Sequence, residues 1–257
     1  MVVVSRKDYI NTYKSSYYGE KYAKKYSEWF PVNKSPELAA LIGDLTTDGH
    51  VQGPDKFRFD FTSKSKKKLK SFEKRLENLF GVTGSIRENR NNPYSESYNY
   101  GVNCKPLTRV LIESGAPVGC KVKTCFNVPR WIQNDKKCFS AYIERAFAND
   151  GSAFSGNPRI TYELRKEQSI SENLREYMNT INSLLIQYYG ISGSVFERSK
   201  INEREDGDKT VGIGLNIRER DAIKKFHKNF NITDKHMSEH IRKIVEGPVA
   251  QPGRALD

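Results

Sequence analysis

The stretch Leu41-Ile42-Gly43-Asp44-Leu45-Thr46-Thr47-Asp48-Gly49 decides the fold, because the chain repeats it in altered form as Ile143-Glu144-Arg145-Ala146-Phe147-Ala148-Asn149-Asp150-Gly151. Each copy ends a helix-like apolar run on Asp-Gly. Carboxylate oxygens are ligands that Mg²⁺ and other hard cations prefer. Two helix ends that each deliver a carboxylate predict two halves of one metal site, with Asp48 and Asp150 as the acids.

The residues after the first copy predict a small unit of helices and strands. Ser35, followed by Pro and Glu, is typical of a helix N-terminus. Residues 56–62 alternate Phe with charged side chains, as a half-buried strand does. Residues 66–80 have apolar side chains at helical spacing. With a hairpin before Lys105 and a helix after it, the order is helix, hairpin, helix, hairpin, helix.

The second copy is followed by the same order of elements. The string Gly190-Ile191-Ser192-Gly193-Ser194-Val195 mirrors Gly81-Val82-Thr83-Gly84-Ser85-Ile86 position by position. Such a match predicts two copies of one helix-plus-sheet unit. The predicted divisions are a helical N-terminal extension at residues 1–34, a first half at 35–116, a linker at 117–133, a second half at 134–246 and a disordered tail at 247–257.

Composition indicates a polyanionic partner. The 43 Lys and Arg exceed the 31 Asp and Glu and give a net charge of +12, which favours nucleic acid, with an anionic membrane surface as the weaker alternative. The sequence shows neither a spanning apolar run nor a signal peptide, so we expect an intracellular, cytoplasmic protein. The 4 Cys contain no Cys-x-x-Cys pair, which favours reduced thiols over a zinc site.

The paired Asp-Gly helix ends, the duplicated unit, the string Cys104-Lys105-Pro106-Leu107 and the Gly/Pro-containing connection resemble the LAGLIDADG homing endonucleases in their single-chain form. The connection looks like that of archaeal intron-encoded members. The resemblance implies an α+β fold of two pseudo-twofold αββαββα units. Two antiparallel four-stranded sheets would form a saddle on DNA, and the motif helices would pack at the interface of the halves.

The resemblance also implies an activity. The implied reaction is metal-assisted hydrolysis of phosphodiester bonds in DNA. It makes a double-strand break with short 3′ overhangs, and the target is a long asymmetric site in an allele that lacks the intron. The implied cofactor is Mg²⁺, with Mn²⁺ as a substitute and Ca²⁺ binding without cleavage. The implied enzyme is a monomer on double-stranded DNA, and host intron RNA is a further candidate partner. The alternative is an intron maturase that binds RNA, or a DNA-binding protein that has lost cleavage.

The site residues follow by matching the family's motif. Asp48 and Asp150 would bind metal, and Gly49 and Gly151 would add backbone carbonyls besides ending their helices in left-handed conformation. The family holds a polar residue at the end of the second strand and a basic residue at the end of the fourth. Aligning Phe59 with Tyr162 gives Ser65 and Gln168 as the polar residues. The Lys-Pro-Leu string gives Lys105 as the basic residue of the first half, and matching residues 103–105 with 216–218 gives Arg218 in the second.

DNA readout is expected from the charged faces of the strands, because Arg and Lys there can reach base edges or phosphates. The predicted DNA-binding residues are Lys56, Arg58, Asp60, Lys64, Lys66, Arg87, Arg90, Arg159, Thr161, Glu163, Arg165, Arg198 and Lys200. One departure from the family stands out. Gly43 is small, as close helix pairing requires, but its counterpart is Arg145. Either Ala141, Ala146 and Ala148 make the helix contact, or Arg145 turns toward DNA.

Overall fold

The computed structural model describes residues 1–89, 96–204 and 207–247. Arg90 and nearly all of the predicted tail lie outside these residues. The helices are α1 (Arg6–Asn11), α2 (Ser16–Lys25), α3 (Pro36–Thr46), α4 (Lys66–Phe80), α5 (Lys105–Glu113), α6 (Arg130–Gln133), α7 (Lys136–Asp150), α8 (Ser171–Tyr189), α9 (Arg220–Asn229) and α10 (Lys235–Glu246). The strands are β1 (Val2–Val4), β2 (Val32–Asn33), β3 (Gly49–Gln52), β4 (Arg58–Ser63), β5 (Ser85–Glu88), β6 (Tyr98–Val102), β7 (Gly151–Phe154), β8 (Arg159–Glu167), β9 (Ser194–Glu197), β10 (Asn202–Glu203) and β11 (Lys209–Ile217).

The predicted duplication is confirmed. The first half runs from α3 to α5, and its sheet has the order β3-β4-β6-β5. The second half runs from α7 to α9, and its sheet has the order β10-β11-β8-β7, with β9 also paired to β11. All pairings between these strands are antiparallel. The second sheet gains a fifth, short strand, β10, and α10 follows the second unit as an additional helix.

Local signals fix the helix boundaries. Ser35 caps α3 by accepting a hydrogen bond from the backbone N–H of Leu38 at 3.1 Å. Ser65 caps α4 by the same geometry, and Gly81 ends that helix with a φ of 64°. One boundary was predicted wrongly. Phe57 is not part of the strand, because its φ of 44° turns the chain before β4 begins at Arg58.

The two motif helices, α3 and α7, pack directly against each other. A Cβ at Gly43 would lie 2.8 Å from the Tyr142 carbonyl oxygen and 3.1 Å from the Arg145 Cβ. Only a hydrogen at this position lets the two backbones approach so closely. The sheets pack on the helices through buried aromatic side chains: Phe61 stacks on Phe72 of α4 at 4.7 Å between ring centroids.

The N-terminal extension contains α1 and α2 as predicted, and also the small antiparallel sheet β1-β2, which was not predicted. It packs on the first half. The guanidinium of Arg109, on α5, lies 4.0 Å from the ring centroid of Tyr13 and 3.7 Å from that of Phe57. Trp29 donates from its indole N–H to the Phe80 carbonyl at 2.9 Å.

The linker between the halves is bonded to both sheets. Val118 forms a parallel bridge with Val51 of β3, and the Gly119 N–H donates to the Val51 carbonyl at 2.8 Å. Farther along, the Val122 carbonyl accepts from the N–H of Glu167, at the end of β8, at 2.9 Å. The segment between these bonds crosses the ends of the motif helices. Throughout the described ranges, no helix is long and apolar enough to cross a membrane.

Candidate nucleic-acid interface and its acidic centre

Asp48 and Asp150 come together at the C-terminal ends of α3 and α7. Both carboxylates are partly buried. Burial raises the pKa of Asp48. Burial, followed by the negative charge of Asp48, raises the pKa of Asp150 to about 7. The charge of Asp48 acts on Asp150, and Lys68 and Lys121 act on both acids, as expected of two helix ends that meet at one centre.

The glycines that follow the acids are required for a reason other than the predicted one. Gly151 has an extended conformation, with a φ of −84°, and Gly49 is not among the described glycines with positive φ. The prediction of left-handed helix stops is wrong. A Cβ at Gly49 would lie 2.6 Å from the Leu45 Cα, and one at Gly151 would lie 2.3 Å from the Phe147 carbonyl oxygen. Glycine lets each strand leave its helix without a clash.

Two lysines lie beside the acids. The Lys121 ammonium, from the linker, donates to the carbonyl of Thr47 and, at 3.3 Å, to that of Leu45. The Lys68 ammonium, from the first turn of α4, donates to the Ala148 carbonyl at 2.6 Å. Both positive charges act on both acids and oppose the rise in their pKa values. Burial lowers the pKa of Lys121 to about 8, while the acids pull it back up.

The sequence predicted neither lysine as part of the acidic centre. Lys68 follows Lys64 and Lys66, which are predicted DNA-binding residues, but is not itself among them. Lys121 lies in a stretch that looked like a plain connection, and no motif marks it. Asp234 also reaches this centre, with its carboxylate 3.5 Å from the Lys68 ammonium, and it precedes α10, which has no counterpart in the first half.

One turn deeper, Arg145 is buried rather than turned toward DNA. Its Nε donates to the Asp44 carboxylate at 2.7 Å, and Nη1 donates to the Thr233 hydroxyl at 3.1 Å. Arg75 of α4 binds the other carboxylate oxygen of Asp44. Asn149 donates to Asp44 at 3.1 Å and to Thr47 at 2.8 Å. The alternative in which Arg145 turns toward DNA is wrong, because Arg145 forms a buried ion pair with Asp44, and its Cβ faces Gly43 together with the backbone of Tyr142.

The other predicted catalytic side chains are only partly brought to the acids. Ser65 lines the same open cavity as Asp48, together with Thr62, Lys68 and Asn149. Gln168 is exposed in a short 3₁₀ turn beyond the end of β8. Lys105 and Arg218 are exposed, and neither is among the charges that shift the pKa values of Asp48 and Asp150.

The alignment behind Ser65 and Gln168 slipped by two residues. Gly49 pairs with Phe61, and Gly151 pairs with Tyr162. Phe61 therefore corresponds to Tyr162, and Ser65 corresponds to Lys166. A strand pattern repeats every two residues, so a shift by two fits the alternation equally well and cannot be detected from it.

Most of the predicted DNA-binding side chains lie on the strands, whereas Lys56, Lys64 and Lys200 lie in connections and Lys66 begins α4. Several of them bind neighbouring side chains: Arg58 donates to Gln52 at 2.9 Å, Asp60 accepts from Asn99 at 2.9 Å, Thr161 donates to Asn216 at 2.7 Å, and Glu163 binds Arg198 at 2.7 Å. Lys66 covers the Tyr98 ring and Arg159 the Phe154 ring. The remaining described positions are exposed: Lys56, Lys64, Arg87, Arg165 and Lys200.

An open cavity of about 340 Å³ lies on the outer face of the second sheet. Arg159, Arg198 and Arg218 line it, with Asn216 and the Phe196 ring. Arg218, predicted as a catalytic residue, thus lies with the predicted DNA-binding side chains. Cationic and amide groups around aromatic rings can contact phosphates and base edges.

A divalent cation is implied by the fold family, and its fit can be tested on the side chains. Mg²⁺ is held by one or two carboxylates with waters and substrate phosphates. The centre offers two carboxylates, but nowhere in residues 1–89, 96–204 and 207–247 do three or more His, Cys, Asp or Glu side chains form a group that could hold a metal. Lys68 and Lys121 already bind the carbonyls at the helix ends. Because two ammonium groups already oppose the charges of the two carboxylates, these residues as placed do not fit a resident divalent cation.

The raised pKa of Asp150 gives a testable pH dependence. The pKa of this carboxyl rises from its ordinary value of 3.8 to about 7 in the folded protein, so the folded state holds a proton that the unfolded chain releases between these values. The free energy of unfolding must therefore fall as pH rises through this window. Asp150→Asn removes this pH dependence. At the upper end of the pH window its free energy of unfolding should exceed that of wild type by on the order of 2 kcal/mol, with allowance for the partial exposure of the side chain.

The measurement is urea unfolding from pH 4 to pH 8 in EDTA. The matched control is Asp55→Asn, in the exposed turn before β4, and it should follow the wild-type curve. Parallel curves for wild type and Asp150→Asn would contradict the assignment.

Comparison with known proteins agrees with the geometry. A family model described as a LAGLIDADG-like domain matches residues 35–118. The probable cell division protein WhiA of Clostridium botulinum is 25% identical over 240 residues, which cover 88% of this chain and 71% of WhiA. The archaeal intron-encoded subgroup that we expected is not supported by this relative.

Two solved structures show the same fold. The homing endonuclease I-WcaI bound to its DNA recognition sequence superposes with a TM-score of 0.54 and 13% identity, over 93% of this chain and 98% of that one. The N-terminal LAGLIDADG domain of DUF199/WhiA superposes with a TM-score of 0.50 and 14% identity, over 86% of this chain and 93% of that one. The chain therefore has the LAGLIDADG fold, with α+β units and antiparallel sheets.

Proposed function

We propose that this protein binds duplex DNA through the outer faces of its two sheets, as a monomer, and that binding rather than cleavage is its main activity. The observation that carries the proposal is the placement of charge. Exposed Arg and Lys side chains lie on or beside the strands of both halves, at Arg58, Lys64 and Arg87 in the first and at Arg165, Arg198 and Lys200 in the second. At the acidic centre Lys68 and Lys121 oppose the charges of the two aspartates. These cations suit contact with the phosphate backbone.

The similar proteins include one that is not named as a nuclease and one that is a homing endonuclease. WhiA carries the name of a cell division protein, and I-WcaI was solved on its DNA recognition sequence. A two-stranded ribbon fits the major groove, where Arg reads guanine and Asn or Gln reads adenine. Each sheet here presents such side chains, so the DNA site should be long and asymmetric. The sequence of this DNA site can be identified by selecting the duplexes that the protein binds from a random pool.

Charge reversal on the two faces tests the proposal. Arg87→Glu combined with Arg165→Glu should weaken binding to a selected duplex by about 10- to 100-fold at moderate salt, because phosphate or base contacts are lost on both halves. The control is Lys74→Glu combined with Lys224→Glu, which changes the net charge equally on exposed helical positions of α4 and α9. Fluorescence anisotropy gives both affinities.

Equal losses of duplex affinity in the two double variants would mean that only the net charge matters and would contradict the proposed interface. Intron RNA serves as a competitor in the same assay. Tighter binding to the RNA than to the duplex would favour a maturase.

Cleavage is the second candidate, and one observation favours it: both aspartates are present and meet at the ends of the motif helices. The reaction would be hydrolysis of both strands with short 3′ overhangs, assisted by Mg²⁺. Incubating a plasmid that carries the selected site with Mg²⁺ or Mn²⁺ decides the matter. Linear product from wild type and none from Asp48→Asn would establish the nuclease.

A further inference from the structure

Lys68 and Lys121 reach matching places at the two motif-helix ends from unrelated parts of the chain. Lys121 binds carbonyls at the end of α3, and Lys68 binds a carbonyl in the last turn of α7. Cations are stabilised at helix C-termini by the unpaired carbonyls and the helix dipole. Each lysine therefore has a reason to stay in place that does not depend on DNA.

The lysines also act across the helix pair. Among the positive charges that lower the pKa of Asp150, Lys121 is the stronger, although it is bonded to α3. For Asp48 the stronger one is Lys68, although it is bonded to α7. Each ammonium group thus binds one helix and compensates the acid of the other, in a pseudo-twofold arrangement.

Repetition of the unit does not explain this symmetry. Lys68 lies in the first turn of α4, and the first turn of α8, which begins at Ser171, contains no lysine. Lys121 lies in the linker, which occurs once. Two lysines without repeat counterparts have been placed where a symmetric pair of cations would be needed.

We propose that Lys68 and Lys121 are built-in cations that hold the places of divalent metal ions between Asp48 and Asp150, so that the centre is complete without metal. Two ammonium groups balance two carboxylates in charge, and an ammonium is a compact point charge like a metal ion. Lys68 also contacts Asp234 at 3.5 Å, whereas the carboxylates that act most strongly on Lys121 are Asp150 and Asp48 themselves. Removal of the Lys121 charge therefore tests the balance between cations and acids most directly.

Titration of Mn²⁺ without DNA tests the proposal, by electron paramagnetic resonance of the free ion and by calorimetry. Wild type should show no saturable binding that depends on Asp48. Lys121→Met keeps the stem and removes the charge, so it should bind Mn²⁺ about 10-fold or more tightly than wild type, because a like charge beside the acids is gone. Lys121→Met with Asp48→Asn should lose this gain.

The matched control is Lys123→Met, the same substitution in the same linker, where the ammonium binds Asp208 instead. It should bind Mn²⁺ as wild type does. A gain in Lys123→Met equal to that in Lys121→Met would overturn the proposal, and so would stoichiometric Mn²⁺ binding by wild type that Asp48→Asn abolishes.

Folding of the variant is monitored separately. Circular dichroism should show that Mn²⁺ raises the Tm of Lys121→Met and not that of wild type. If Lys121→Met does not fold, the wild-type titration still decides the question. None of these measurements contains DNA, so their outcome is independent of whether the sheets bind a duplex.

Discussion

Replacing Asp44 by Asn should lower the free energy of unfolding by about 3–5 kcal/mol. The Asp44 side chain is 0% exposed, and it lies between Arg145 and Arg75, whose side chains are 8% and 13% exposed. Asparagine keeps the shape but not the charge. Two buried guanidinium groups would then face each other without a counter-ion.

Urea unfolding at neutral pH measures the effect. The control is Glu20→Gln, which breaks the Arg6–Glu20 ion pair. That pair has an N–O distance of 2.8 Å, but its side chains are 53% and 59% exposed. The control should cost no more than about 1 kcal/mol. If both variants lose the same amount, the buried network is not what stabilises the contact between the halves.

Gly43→Leu is the second change expected to have a large effect. A Cβ at Gly43 already comes within 2.8 Å of the Tyr142 carbonyl, and a leucine side chain would force α3 and α7 apart along their whole contact. The cost should be about 3 kcal/mol or more, because the backbone of the facing helix cannot move aside as a flexible side chain could. The separation would also displace Asp48 and Asp150, which lie at the C-terminal ends of these helices.

Thermal and urea unfolding of Gly43→Leu are compared with those of Gly156→Ala. An added Cβ at Gly156 meets nothing within 4 Å, and this glycine is not among those with positive φ. Its substitution should be neutral or slightly stabilising. A Gly43→Leu protein as stable as Gly156→Ala would show that the helix contact tolerates separation.

Much of the fold follows from local signals. The cap at Ser35, the apolar spacing of residues 66–80 and the glycine after them predict helices whose bounds the structure repeats. The matching strings around Gly81 and Gly190 predict the duplication. These features depend on residues that are close in sequence, so they can be recognised without the tertiary contacts.

The strand register and the contents of the acidic centre were not predictable in the same way. Alternation cannot detect a shift by two, and the shift hid the correspondence of Ser65 with Lys166. Lys121 has no motif around it, because its role comes from the path of the linker over the ends of α3 and α7. Arg145 looked like a departure from the family because its partners, Asp44 and Thr233, are distant in sequence.

The linker has a consequence for how such a protein can evolve. A homodimer of a single unit must present every residue twice, in symmetric positions. Here the segment bonded to Val51 on one side and to Glu167 on the other occurs once, and it delivers Lys121 once. A centre whose matching lysines come from unrelated segments becomes available only after two gene copies are fused, because only then does a joining segment exist that belongs to neither half.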